Sequence, residues 1–127
     1  MSVKAQATIQ AVERALLTIK TSSIDINDEY YKNKIFLEKL GWQPSHILNE
    51  IKKLSVRDYC EGPQPNLSKV GPKIGAIWIF GKKIKSMKVY IKFHIIPIGG
   101  SNSHCVCMSF HEEEEGKKPL TFPYANT

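Results

Sequence analysis

Apolar residues recur at spacings of three and four in the first half of the chain, and at every second position in much of the second half. Ile9, Val12, Leu16 and Ile19 mark one face of a helix over roughly residues 3–20. Thr21, Ser22 and Ser23 end it. Asn27 is suited to cap a second helix, with Asp28 and Glu29 at its positive end. That helix carries Phe36, Leu37 and Leu40 and stops at Gly41, which tolerates the left-handed conformation of a helix end. Pro44 opens a third helix, whose stripe is Ile47, Leu48, Ile51 and Leu54. Ser55 and Asp58 suit one more short turn.

Residues 61–75, EGPQPNLSKVGPKIG, hold three prolines and three glycines, which predicts a loop and no regular element. A loop of this length in a compact domain is functional or mobile. Strands follow. AIWIF (76–80) is one, and residues 85–96 alternate, with Val89, Ile91, Phe93 and Ile95 on one side and Lys88, Tyr90, Lys92 and His94 on the other. Residues 104–111 alternate again: Val106, Met108 and Phe110 share the apolar face, and Cys105, Cys107, Ser109 and His111 the opposite one. The tail, PLTFPY, is expected to cover a sheet edge, since its two prolines do not suit a central strand. The fold class is therefore α+β: N-terminal helices packed on a C-terminal antiparallel sheet. One domain spans 1–127, mainly helical over 1–60, a loop over 61–75 and sheet over 76–124.

Composition changes this picture little, and charge changes it more. With 127 residues, 42% apolar and 24% charged, the chain is one ordinary globular domain. No apolar run approaches the roughly 20 residues that a bilayer span needs, so no membrane association is expected. Glu13 and Arg14 interrupt the segment where a signal peptide would be continuously apolar, and three cysteines argue for a reducing compartment. A cytoplasmic protein is expected. The 18 basic and 12 acidic residues give +6. Four of the acids form one run, Glu112–Glu115, and the rest of the chain sets 18 basic against 8 acidic residues. Such a surface suits either solubility or a polyanionic partner.

The hairpin register brings candidate chemistry together. Both apolar sets must face the core, and a turn near Gly100–Ser101 sets Tyr90 opposite His111, Lys92 opposite Ser109 and His94 opposite Cys107. RNA can be cut without a metal, because its 2′-hydroxyl attacks the adjacent phosphate. The reaction needs a base, an acid and a cation for the crowded phosphate. Tyr90, Lys92, His94 and His111 supply those groups, although the exposed face of any antiparallel sheet is polar. Lys82, Lys83, Lys85 and Lys88, in and beside a hairpin turn, read as a phosphate-tracking patch or a solvated turn. His94, His104, Cys105, Cys107 and His111 are near in sequence, but Cys-x-Cys is not the usual zinc spacing, and neither a metal nor a cofactor is expected. GPKIG is not a Walker loop, and no serine sits in a G-x-S-x-G setting.

The blocks LSVRDYCEGPQP (54–65), AIWIFGKKI (76–84), KVYIKFHII (88–96) and VCMSFHEEEEGKKPLTFPY (106–124), preceded by EKLGWQPSHILNEIKKL, resemble in their order the MqsR-type toxins of bacterial toxin–antitoxin systems. The resemblance covers roughly residues 34–124. It implies the RelE/barnase-like fold, cleavage of messenger RNA and silencing by a cognate antitoxin protein, expected here to be of helix-turn-helix type. It also implies an active surface containing Tyr90, of the V-Y-I-K strand, and His111, at the end of the S-F-[HK] strand where the best-known members have lysine. Glu61 stands where those members have another lysine, and Ile79 where they have glutamine. RNA would then be positioned through Arg57, Lys69 or Lys73, with Lys82, Lys83 and Lys88 as further RNA contacts. The alternative is a non-catalytic basic module that binds RNA or protein through the same face.

Overall fold

The structure, a computed structural model, describes residues 6–69 and 71–127. Helix α1 is Ile9–Thr21, strand β1 Ile24–Ile26, helix α2 Tyr31–Leu40 and helix α3 Pro44–Lys52. After a 3-10 turn at Val56–Asp58 come strands β2 (Tyr59–Gln64), β3 (Ala76–Ile84), β4 (Met87–Gly99) and β5 (Asn102–Glu112). The fold is α+β, three helices on a five-stranded sheet of order β1-β5-β4-β3-β2.

The helices form where the apolar stripes lie, but two begin later than their sequence suggests. α1 starts at Ile9, because the Thr8 hydroxyl accepts from Ala11 N at 3.1 Å and fixes the N-cap there; residues 3–5 of the expected helix lie outside the described residues. Asn27 does not cap α2. Its side-chain oxygen accepts from Tyr30 N at 3.2 Å and organises the turn before the helix, whose N-cap residue is Tyr30. Gly41 ends α2 with φ +68°, as expected.

The sheet is mixed rather than purely antiparallel. β1, only three residues inside the helical half, pairs in parallel with β5 through Ile24–Cys105 and Ile26–Cys107. A strand that short carries no alternation to reveal it. The loop expected over 61–75 begins late, since Glu61–Gln64 continue β2. Pro63 is tolerated there because β2 is an edge strand with an irregular register. The regular sheet ends at Glu112 and not near residue 124. Gly75 lies so close to β4 that a Cβ would sit 2.2 Å from Ile95 O, and its φ is +89°. A side chain at residue 75 would push β3 away from its partner.

One face of the sheet carries the main core: Trp78, Phe80, Val89, Ile91, Phe93 and Phe110 against Val12, Leu16, Ile19, Phe36, Ile47 and Ile51. Each fully buried side chain of this size contributes about 1.5–3 kcal/mol. The β4–β5 register holds Tyr90–His111 and Lys92–Ser109, then slips by one residue, giving Phe93–Cys107 and His94–Val106. This slip corrects the expected faces of β5. Met108 is the extra residue of a β-bulge, so Cys105 and Cys107 turn into the main core, fully buried, and His94 faces Val106 rather than Cys107. Met108 packs on the second face with Cys60, Ile77, Ile79, Tyr90 and Leu120.

The bulge is held by Asn33 of α2, which is fully buried. Its amide nitrogen donates to Met108 O at 3.0 Å and Asn27 O at 2.7 Å, and its oxygen accepts from Phe110 N at 2.8 Å. Met108 O and Phe110 N are the backbone groups of β5 beside the slip, and Asn27 O belongs to the turn before α2. A helix side chain thus substitutes for a missing neighbouring strand.

Candidate active site

The second face of the sheet is not uniformly wet. The segment after β5 folds back over its middle. Leu120 and Phe122 lie against Gly81, where a Cβ would come within 2.6 Å of Leu120 Cδ1. Leu120 joins Ile77 and Ile79 in the small apolar cluster. At the β2 end, the loop before β3 covers His94, whose Nε2 bonds Ile74 O at 2.8 Å. Between these two covers the face stays open as a cleft.

The cleft has a volume of about 350 Å³ and includes Tyr90, Lys92, Ser109, His111 and Tyr30 in its lining. Lys117 and Lys118 add cations from the tail, and Glu113 and Glu114 form part of the wall. The Tyr90 and His111 rings stack with centroids 5.5 Å apart and planes 25° from parallel. They are directly paired across the β4–β5 ladder, which is why their spacing is set by backbone and not by loop conformation. The Tyr30 ring meets His111 edge-on at 6.1 Å.

Burial lowers the pKa of the His111 imidazole below its ordinary 6.5, outweighing the hydrogen bond to Glu112 O, and Lys32 lowers it further. The Nδ1 atom lies 2.8 Å from Glu112 O, so in the neutral ring Nδ1–H donates and Nε2 keeps the lone pair. Burial pushes the Tyr90 phenol up to about 12, aided by the Glu61 carboxylate, so it stays protonated. Burial also lowers Lys92 from 10.5. The cleft therefore holds a neutral imidazole, a protonated phenol and an ammonium group together near neutral pH.

The acidic run has a structural use. Glu112 pairs with Lys39 at 2.5 Å, Glu113 accepts from Leu120 N at 2.6 Å and Glu114 pairs with Lys32. Three of the four glutamates thus tie the end of β5 to α2 and to the tail. Lys32 and Glu114 each favour the charged form of the other.

The remaining sequence-predicted residues are scattered. His94 is only 2% exposed and is outside the cleft lining, so it anchors the loop. Lys82 lies on the helix side of the sheet and pairs with Glu50 at 3.0 Å. Lys83 and Lys88 face each other across β3 and β4, on the Tyr90 face but outside the cleft lining. Arg57 is exposed and its Nε donates to Thr127 O at 2.8 Å. Lys73 is tied to Ser68 O, and Lys69 is exposed in the same loop. Sequence reasoning missed Tyr30, Lys117 and Lys118; tyrosine beside a helix start and lysines in a tail carry no periodic signal.

Alanine at His94 is expected to release the loop from Ile74. Trypsin should then cut at Lys69 or Lys73 about fivefold faster or more, since one buried hydrogen bond contributes about 1 kcal/mol. Limited proteolysis followed by mass spectrometry measures this.

His94, His104, Cys105, Cys107 and His111 do not converge: both cysteines are in the core and His104 pairs with Asp25 at 3.0 Å. Among the described residues no cluster of His, Cys, Asp or Glu is arranged to hold a metal ion, and no helix is long and apolar enough to cross a membrane. Compared with models of known families, with curated proteins and with solved structures, the chain matches none.

Proposed function

We propose that the chain is a toxin-type endoribonuclease of MqsR-like character that cuts single-stranded RNA without a metal and is restrained by a cognate antitoxin protein. The observation that carries this reading is the stacked Tyr90–His111 pair beside Lys92 in an open cleft. In the reaction, His111 Nε2 takes the proton of a 2′-hydroxyl, and that oxygen attacks the adjacent phosphorus. The bond from phosphorus to the 5′-oxygen breaks, leaving a 2′,3′-cyclic phosphate. The Tyr90 phenol gives its proton to the departing 5′-oxygen, and solvent restores it. Lys92 stabilises the charge that builds on the phosphoryl oxygens. Lys117 and Lys118, with Lys83 and Lys88 beyond them, hold neighbouring phosphates.

The two family positions that differ here are consistent with this division of labour. Ile79 belongs to the apolar cluster under Leu120, and Glu61 adds to burial, the main cause, in keeping the Tyr90 phenol protonated. Neither needs to touch phosphate.

Incubating purified protein with single-stranded RNA in EDTA tests the proposal. Fragments are expected. Intact RNA that is nevertheless retained, with affinity falling steeply as salt rises, would instead make the chain a non-catalytic binding module.

A further inference from the structure

A second cavity of about 210 Å³ opens beside the cleft, lined by Asn27, Tyr30, Ser68, Lys92, Met108 and Ser109. It shares Tyr30, Lys92 and Ser109 with the cleft, so the two form one continuous groove. Their chemistry differs. The cleft is ringed by charged and titratable groups. The second cavity has a thioether, a phenol ring and small polar side chains, with one cation at the shared border.

Met108 is in this cavity only because of the bulge. Regular alternation would have sent it to the helix side with Phe110, and the register slip turns it outward instead. A polarisable sulfur and a half-buried tyrosine ring, next to a phosphate-binding lysine, make the surface on which a planar aromatic ring packs. A strand of RNA with a phosphate at Lys92 brings an attached base within reach of this space, because the two sites meet at that residue.

We propose that this cavity is a nucleobase slot, which takes the base of the nucleotide whose 2′-hydroxyl attacks and holds it against the Tyr30 ring and Met108. The side is set by His111. The imidazole that removes the 2′-proton meets the ring of Tyr30, the residue that lines both the cleft and the second cavity. The slot rests on the ribonuclease reading for its role, but base binding can be measured without cleavage.

The probe is a trinucleotide with 2′-fluoro riboses, which cannot be cut, and 2-aminopurine as its central base. Binding to the wild type is expected to quench its fluorescence. Tyr30→Phe should quench equally, and Tyr30→Ala should bind at least fivefold more weakly, the lower end of what loss of one base–aromatic stack produces, about 1–3 kcal/mol. A trinucleotide with no central base should compete against the wild type at least fivefold less well than the intact one. This second measurement needs no variant, so a misfolded Tyr30→Ala protein does not decide the matter. Equal competition by the abasic probe, unchanged quenching with Tyr30→Ala, or no binding of the trinucleotide would overturn the slot. Cleavage of longer RNA together with equal abasic competition removes the slot and keeps the ribonuclease. Base-dependent quenching without any cleavage keeps the slot and removes the ribonuclease.

Discussion

Alanine at His111 is expected to reduce RNA cleavage by about 10²–10⁴-fold, the range over which a positioned general base acts. The fold should survive, because the ring makes one local hydrogen bond, to Glu112 O, and the adjacent core residue Phe110 is untouched. Stability should fall by about 1–3 kcal/mol, from that bond and from the ring's contacts with Tyr90 and Tyr30. The pH profile carries a second signature. Burial lowers the imidazole pKa below 6.5, so the neutral, proton-accepting ring already dominates at pH 7. Cleavage should rise with pH through an acid limb centred below 6.5, and this limb should vanish with His111→Ala. On the alkaline side, the rate should fall as the Lys92 ammonium loses its proton below its ordinary 10.5. Lys92→Arg keeps the charge at every accessible pH and should abolish that fall. A rate profile measured in single-turnover experiments tests both limbs.

Alanine at Asn33 is expected to destabilise the protein by about 3–5 kcal/mol, since it strips partners from several buried backbone groups, each worth about 1–3 kcal/mol when unsatisfied. Met108 O and Phe110 N lose the Asn33 side chain that joins them to α2, and Asn27 O loses its bond from the Asn33 amide. The midpoint of thermal unfolding should drop by roughly 10 °C or more. Asn33→Asp offers no relief, because it sets a carboxylate oxygen against two carbonyls. The consequence reaches the groove, for the bulge that Asn33 holds is what turns Met108 to the face that Ser109 and His111 already share. A change within 1 kcal/mol of wild type would contradict this account of the bulge.

Elements with long, regular patterns were readable from the chain. The stripes of α1, α2 and α3 and the alternation of β4 come from many residues obeying one period, and the Tyr90–His111 pairing followed from requiring two apolar faces to coincide about a turn near Gly100–Ser101. What escaped depended on single contacts between distant residues. A β-bulge shifts Cys105 and Cys107 inward without changing composition, and its cause, Asn33, is 75 residues from Met108. β1 exists because β5 offers it an edge, and β2 runs through Pro63 because its outer side needs no ladder. The candidate site divided in the same way. Tyr90, Lys92 and His111 share a face by strand period. His94 shares that face too, yet the loop at Ile74 buries it, and Lys82 follows the period to the opposite face, where Glu50 neutralises it. Tyr30 entered the site through tertiary packing alone.

The chemistry of the ends made from a defined single-stranded RNA in EDTA tests the central claim most directly. Attack by the 2′-hydroxyl predicts 2′,3′-cyclic phosphate and 5′-hydroxyl ends, with no cutting after a 2′-O-methyl nucleotide and none by the His111→Ala protein. Products bearing 5′-phosphate, or cleavage that persists at methylated positions, would contradict it.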